Sequence, residues 1–182
     1  AEKQVDVILR AITRLDPTLD VSFDIVGGGD QRKNLQILAR ELGIADRVTF
    51  HGRISYKQLR ALYSRASVFA IASIAELQSI ATMEALASGL PVVAADAMAL
   101  PHLVHPGENG YLYTPGDIEA FAGHLRTILT ASPEELERLK RGALQTVEAH
   151  DIQRTLDIFE ALYRGEEVID PVTDTHSGSA SN

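Results

Sequence analysis

The sequence contains no cysteine. That absence excludes disulfides, thiolate metal sites and a cysteine nucleophile, so packing has to hold the folded state. It also lacks any apolar run approaching the roughly 20 residues that a membrane-crossing helix needs. Apolar residues nevertheless make up 45% of the 182 positions, enough for a core. Positive charge is scarce: 17 lysines and arginines face 25 aspartates and glutamates, a net charge of −8. Gripping a phosphate backbone or an anionic lipid surface takes clustered cations, so nucleic acid and membrane surfaces are poor partners for this composition. The opening Ala1-Glu2-Lys3 has neither a methionine nor a charged-then-apolar leader, so no signal peptide is read, and the sequence reads as a piece cut from something longer. The length is that of one compact domain.

What is there is an alternation. Val5, Ile8, Leu9, Ile12 and Leu15 recur at helical spacing until Pro17 stops the pattern. The β-branched run from Val21 to Val26 then breaks into Gly27-Gly28-Gly29-Asp30 ahead of a helical Leu35, Leu38, Ala39, Leu42. The cycle repeats with a strand at Val48–His51, a helix through Leu59, Leu62 and Tyr63, a strand at Val68–Ile71, a short helix around Thr82 to Ala87, and a strand at Val92–Ala94. A further strand, Gly110–Tyr113, precedes a helix starting near Asp117. Short strands alternating with helices predict an α/β fold: a Rossmann-like parallel sheet with helices on both faces. Ser132-Pro133-Glu134-Glu135 starts a C-terminal helical region reaching about Arg164, with a break near His150-Asp151. The domain is therefore read as residues 1–164, and the polar stretch 165–182 as a disordered tail.

In such sheets ligands bind beyond the carboxyl ends of the strands. Gly27, Gly28 and Gly29 let backbone pass close to a ligand and place amide donors at a helix N-terminus, the physics of phosphate binding. A tight strand-to-helix turn explains them equally well, and the dinucleotide fingerprint fails where it would want a glycine at Arg32. The loop after Ile71 says more. If a helix begins near Ser79, then Ile80, Met83 and Ala87 form its buried stripe, and Glu84 falls on that stripe. Burying a carboxylate costs several kcal/mol in order of magnitude unless it is paired. A ligand's hydroxyls would satisfy it, as would a salt bridge to Arg53 or a place at the stripe's wet edge. Glu76 lies in the preceding loop, and the free amides of Leu77, Gln78 and Ser79 could meet an anion such as diphosphate. Two carboxylates and an anion site together ask for a nucleotide sugar.

The segment from Ser73 to Asp96 resembles the signature of the group 1, family 4 retaining nucleotide-sugar glycosyltransferases of the GT-B fold. Its two glutamates are followed by Ala-Leu-Ala-Ser-Gly-Leu-Pro-Val-Val. Flanking pieces are similar in order: Glu2-Lys3 ahead of an apolar helix, Ile25-Val26-Gly27-Gly28-Gly29, Val48-Thr49-Phe50-His51-Gly52-Arg53, Pro106-Gly107-Glu108-Asn109-Gly110-Tyr111-Leu112 and Pro115-Gly116-Asp117. The resemblance implies the donor-binding half of a GT-B enzyme, with the N-terminal, acceptor-binding domain absent. By the same likeness Glu84 holds the ribose hydroxyls, Glu76 contacts the donor sugar, and the turn at Leu77, Gln78, Ser79 and Ile80 reaches sugar and diphosphate. Lys3 neutralises the diphosphate, while Arg53 stands near the base. Lys3 and Glu76 are thus the catalytic candidates.

The resemblance further implies a hexosyltransferase that retains anomeric configuration, needs no bound metal and no cofactor beyond its nucleotide-sugar donor, and is inactive as this isolated domain. Its acceptor would be a sugar or lipid held by the other half. Cytoplasmic placement follows, with peripheral membrane contact reserved for the full-length protein. Three features depart from the family pattern: Leu77-Gln78-Ser79 stands where relatives have glycines, His102 where they often have a glutamate, and the arginine that partners the lysine lies upstream of the sequence. An epimerase of similar architecture and a non-catalytic nucleotide-binding regulatory module are the alternatives.

The remaining residues read as structural. His102 and His105, three apart and flanked by prolines, are surface or loop histidines, and no serine sits in a nucleophile elbow. Glu134 to Arg141 is a solvated helix with charge pairs. Tyr56, Tyr63 and Phe69 read as core or crevice packing, with Tyr56 alone of the three near the base loop.

Overall fold

Eleven α- and β-elements carry the chain in a computed structural model that describes residues 2–148 and Arg164. They run α1 (Val5–Ile12), β1 (Phe23–Val26), α2 (Arg32–Glu41), β2 (Val48–Gly52), α3 (Tyr56–Arg65), β3 (Phe69–Ile71), α4 (Ile80–Ala87), β4 (Val92–Ala95), β5 (Gly110–Tyr113), α5 (Ile118–Leu129) and α6 (Pro133–Glu148). Every expected strand and helix up to α6 is present, with ends shifted by a few residues. Helix α1 stops at Ile12, yet Leu15 is still buried beyond it. The expected break near His150-Asp151, the helical continuation toward Arg164 and the disordered tail lie outside the described residues, apart from Arg164, which sits in a turn.

All strand pairs are parallel, as right-handed strand–helix–strand windings require. They form two sheets: β1 beside β2, and β3-β4-β5 with β4 in the middle. Val92, Val93, Ala94 and Ala95 of β4 are wholly buried, the mark of a strand covered on both faces. Gly110 is needed beside it, because a Cβ there would stand 1.9 Å from the Val92 carbonyl oxygen. The main core joins this sheet to α5 and α6 through Phe121, Leu125, Leu139 and Ala143, with the Tyr113 and Phe121 rings edge to face at 4.6 Å. A smaller core gathers Leu9, Ile12, Ala39, Ile44 and Val48 around β1 and β2. Helix α1 serves both: Val7 and Ala11 enter the larger cluster, Leu9 and Ile12 the smaller.

Two polar features fix the outer elements. Asn109 is fully buried, and its Oδ1 accepts the His105 N–H at 2.7 Å. Its Nδ2 donates to the Leu103 carbonyl at 2.9 Å and to Thr146 Oγ1 at 2.8 Å, tying the turn before β5 to α6. The charged run on α6 is a solvated face as expected, with Glu135–Arg138 and Glu137–Lys140 pairs.

Candidate functional site at the strand ends

The loops after β1, β2 and β3 hold the residues singled out by sequence. Gly27 ends β1 at φ 126°, a backbone that side chains resist, and its N–H donates to the Gly52 carbonyl at 2.9 Å. Gly28 and Arg53 come together, since a Cβ on Gly28 would lie 3.5 Å from the Arg53 side chain. Gly27, Gly28 and Gly29 are all exposed, and Gly27 and Gly29 have open space around them. The glycine turn is therefore an open ledge with a guanidinium beside it.

Lys3 and Glu76, 73 residues apart in sequence, meet as an ion pair with Nζ 2.5 Å from Oε1. Glu76 is buried while Lys3 remains exposed to solvent. The Glu2 carbonyl accepts the Ile74 N–H at 3.3 Å, which lays the lysine along the loop after β3. On the other side, the Ala99 N–H donates to the Glu76 carbonyl at 3.0 Å. Two non-glycine residues among those described have positive φ, Gln4 at 44° and Met98 at 54°. Each adjoins one of these contacts. A side chain in that region costs about 1–2 kcal/mol, and such strain gathers at functional sites.

Helix α4 begins immediately after this loop. Ser79 occupies its N-cap position without capping it, because the buried Ser79 Oγ bonds Thr82 Oγ1 at 2.8 Å instead. No backbone or side-chain acceptor takes the N–H of Leu77, Gln78 or Ser79 among the described residues. Bare amides at a positive helix end form an anion site. Leu77, Gln78 and Ile80 are exposed there.

The expected buried stripe of α4 needs correction. Ile80 is 65% exposed and Ala87 is exposed, whereas Thr82, Ala85 and Leu86 are buried and Met83 half-buried. Apolar residues surround α4 almost entirely, so periodicity could not fix its rotation. Packing does: Leu86 enters the main core and Ala85 meets Tyr63 and Leu90. Glu84 consequently lies half-buried on a flank, in a cleft of about 420 Å³ lined by Tyr56, Arg60, Tyr63, Ser64, Ala87 and Ser88. It makes no ion pair with Arg53.

Tyr63 packs edge to face on Phe69 at 6.2 Å, the packing role expected for both. Its hydroxyl also reaches the Ala81 carbonyl at 3.4 Å. Burial first, and the adjacent Glu84 carboxylate second, push its pKa up to about 12, so at neutral pH it stays a hydrogen-bond donor. Tyr56 is exposed at the rim. Sequence reading missed Arg60, Ser64 and Ser88 as cleft residues. The signal for Arg60 was available: Ser55 and Gln58 form a reciprocal capping box that dates the start of α3, after which Arg60 shares one face with Tyr56 and Tyr63.

His102 is exposed and His105 half-exposed, as expected of surface or loop histidines. No group of metal-ligating side chains gathers among the described residues. No helix among them is long and apolar enough to cross a membrane.

Fold and site together define an α/β domain with charged and polar groups gathered in the loops at its strand ends. A family model described as glycosyl transferases group 1 matches residues 1–146, and the chain belongs to that family. It is 37% identical over 163 residues to the MMP alpha-(1->4)-mannosyltransferase of Mycolicibacterium hassiacum, covering 88% of this chain and 39% of that one. It is 37% identical over 151 residues to the D-inositol 3-phosphate glycosyltransferase of Streptomyces griseus, covering 78% of this chain and 32% of the relative. Among solved structures, Anabaena HepE in complex with UDP-glucose superposes with a TM-score of 0.77 at 27% identity, covering 90% of this chain and 46% of HepE. The chain thus spans less than half the length of each, and these neighbours are glycosyltransferases of GT-B type.

Proposed function

We propose that this chain is the donor-binding half of a retaining glycosyltransferase, which moves a sugar from a nucleoside diphosphate to an acceptor held by an N-terminal half. The observation that carries the reading is the Lys3–Glu76 pair, held between two left-handed residues at the uncapped N-terminus of α4. Relatives named as transferases and a neighbour holding UDP-glucose support transfer over epimerisation or a purely regulatory role.

In this reading Glu84 accepts hydrogen bonds from the ribose diol inside the α3–α4 cleft, and Tyr56 offers a ring face to the base. The N–H groups of Leu77, Gln78 and Ser79 face the diphosphate and the transferred sugar, with the exposed Ile80 beside them and the open Gly27-Gly28-Gly29 ledge allowing close approach. Glu76 accepts from the sugar's hydroxyls. Lys3 turns from Glu76 to the diphosphate as the donor enters, and Arg53 adds a second positive charge. When the sugar–phosphate bond breaks, negative charge grows on the leaving diphosphate. These cations and amides are already oriented toward it, so stabilisation is electrostatic and costs no reorganisation. The same cations take the place of a bound metal, and the enzyme works in the cytoplasm on a sugar or lipid acceptor.

The test is calorimetric titration of the chain with UDP, GDP, ADP and their sugar conjugates, repeated on Glu84→Gln. Losing hydrogen bonds to a charged acceptor is worth about 1.5–3 kcal/mol, which weakens the preferred nucleotide roughly 10- to 100-fold. Unchanged affinity would remove Glu84 from the ribose. The purified 182 residues should transfer no sugar; acceptor glycosylation by them alone would refute the division into halves.

A further inference from the structure

Glu84 is half-buried and makes no ion pair among the described residues, so a neutral donor has to hold its carboxylate. Most hydroxyls lining its cleft are engaged elsewhere. Ser64 Oγ donates to the Ala61 carbonyl at 3.1 Å, and Ser88 Oγ donates to the Glu84 main-chain carbonyl at 2.8 Å, each within its own helix. Tyr56 is exposed at the rim. Tyr63 differs from all three, because only 9% of it is exposed and its hydroxyl stands beside Glu84.

The Tyr63 ring is clamped. It packs edge to face on Phe69 at 6.2 Å and against Ala85 and Leu90, which leaves rotation about its C–O bond as the hydroxyl's freedom. Ala81, Glu84, Ala85 and Ser88 form one stripe of α4 at helical spacing. That stripe faces Tyr63, since the Ala81 carbonyl accepts its hydroxyl at 3.4 Å and Ala85 meets its ring. A distance of 3.4 Å is long for an O–H···O bond, where about 2.7–2.8 Å is usual. The Ala81 carbonyl is also an acceptor in the α4 ladder. A carboxylate on the same stripe is the better acceptor. The phenol registers its presence: burial first, then the charge of Glu84 and hydrogen bonding to it, hold the Tyr63 pKa up at about 12.

We infer that Tyr63 is a positioning residue, whose hydroxyl donates to the Glu84 carboxylate and orients it, ahead of any ligand, to accept both hydroxyls of a ribose. The inference rests on the proposed reading of the α3–α4 cleft as the ribose site. A carboxylate offers about four lone-pair sites, so one bond from Tyr63 leaves room for a vicinal diol. Without that anchor the glutamate samples several rotamers, and binding a ribonucleotide has to remove that freedom. Tyr63 acts through Glu84 and touches no ligand itself.

The experiment measures calorimetric affinities of UDP, GDP and ADP and of their 2′-deoxy counterparts for the 182-residue chain and for Tyr63→Phe, which keeps the ring. A third protein carries 4-aminophenylalanine at position 63, whose aromatic amine is neutral at pH 7 and still a donor. The parent should prefer its ribonucleotide over the deoxy form by about 10- to 100-fold. In Tyr63→Phe the ribonucleotide should weaken about tenfold and the deoxy form about twofold, so the preference shrinks about fivefold. The amine should restore most of it. Equal weakening of both forms, an unchanged preference, loss of cooperative unfolding in Tyr63→Phe, or no recovery with the amine would overturn the positioning role while leaving the ribose site standing. A parent that binds nucleotides without preferring ribose removes Glu84 from the diol, and the inference falls with it. A parent that binds no nucleotide refutes the donor-binding reading itself.

Discussion

The two sheets meet the same physical demand in different ways. Around β3-β4-β5, the central strand is wholly buried and α5 and α6 close the core with Phe121, Leu125 and Leu139. Around β1-β2, residues alternate between half-buried and exposed along β1, and α2 buries only Ala39. The first region carries the buried glutamate, the strained loop around it and the bare amides of α4. The second carries the open glycine ledge and Arg53. Under the proposed function, the groups to be held at fixed positions sit on the densely packed side, and those that yield to a ligand's bulk sit on the lighter one. Helix α3 spans the division, with Tyr63 in contact with α4 and Arg65 reaching back to β1.

The comparison is tested most strongly by paired truncations. Phe121→Ala, in the larger core, should cost about 3–5 kcal/mol in urea denaturation, whereas Ile25→Ala on half-buried β1 should cost under about 2. Equal costs would erase the distinction between the regions. Asn109→Leu comes next: it removes one acceptor and two donors from a fully buried node, leaving the His105 N–H and the Leu103 carbonyl unpaired. About 2–3 kcal/mol should be lost, and a loss below 0.5 by the same measurement would show the node to be incidental.

The smallest effect concerns pH and the lighter sheet. Burial works to raise the pKa of Asp24, but hydrogen bonds from His51 and Arg65, with their charges, outweigh it and hold the carboxyl below its ordinary value. Its contribution to stability is therefore complete above the ordinary aspartate range and is lost as pH falls through the depressed value. Asp24→Asn should flatten the acid side of a stability–pH curve below about pH 4, leaving its neutral-to-alkaline shape unchanged. A variant curve parallel to the parent at every pH would overturn the assignment.

Much of this was legible in sequence because its causes are local. Period and punctuation place each strand and helix: Gly27 ends β1, Ser55 with Gln58 starts α3, and Pro133 opens α6. The likeness from Lys3 onward picks out the family, and the glutamates at 76 and 84 are visible as a pair. The rotation of α4 was not legible, because Ile80, Ala81, Met83, Ala85, Leu86 and Ala87 leave hardly any polar face to mark the outside. The meeting of Lys3 with Glu76 was also out of reach of spacing. It depends on the Glu2–Ile74 hydrogen bond and the left-handed turn at Gln4, neither of which has a local signature.

Sequence alone therefore determined the element order, the parallel α/β class, the family and the candidate site side chains, since all follow from local propensity and motif. Tertiary structure alone decided which of those side chains meet. It buried Glu76 against an exposed lysine, set Glu84 beside Tyr63, left Ile80 in solvent and divided the strands into two sheets. Such outcomes depend on how distant segments exclude water from one another, and a position's neighbours in sequence carry no record of that.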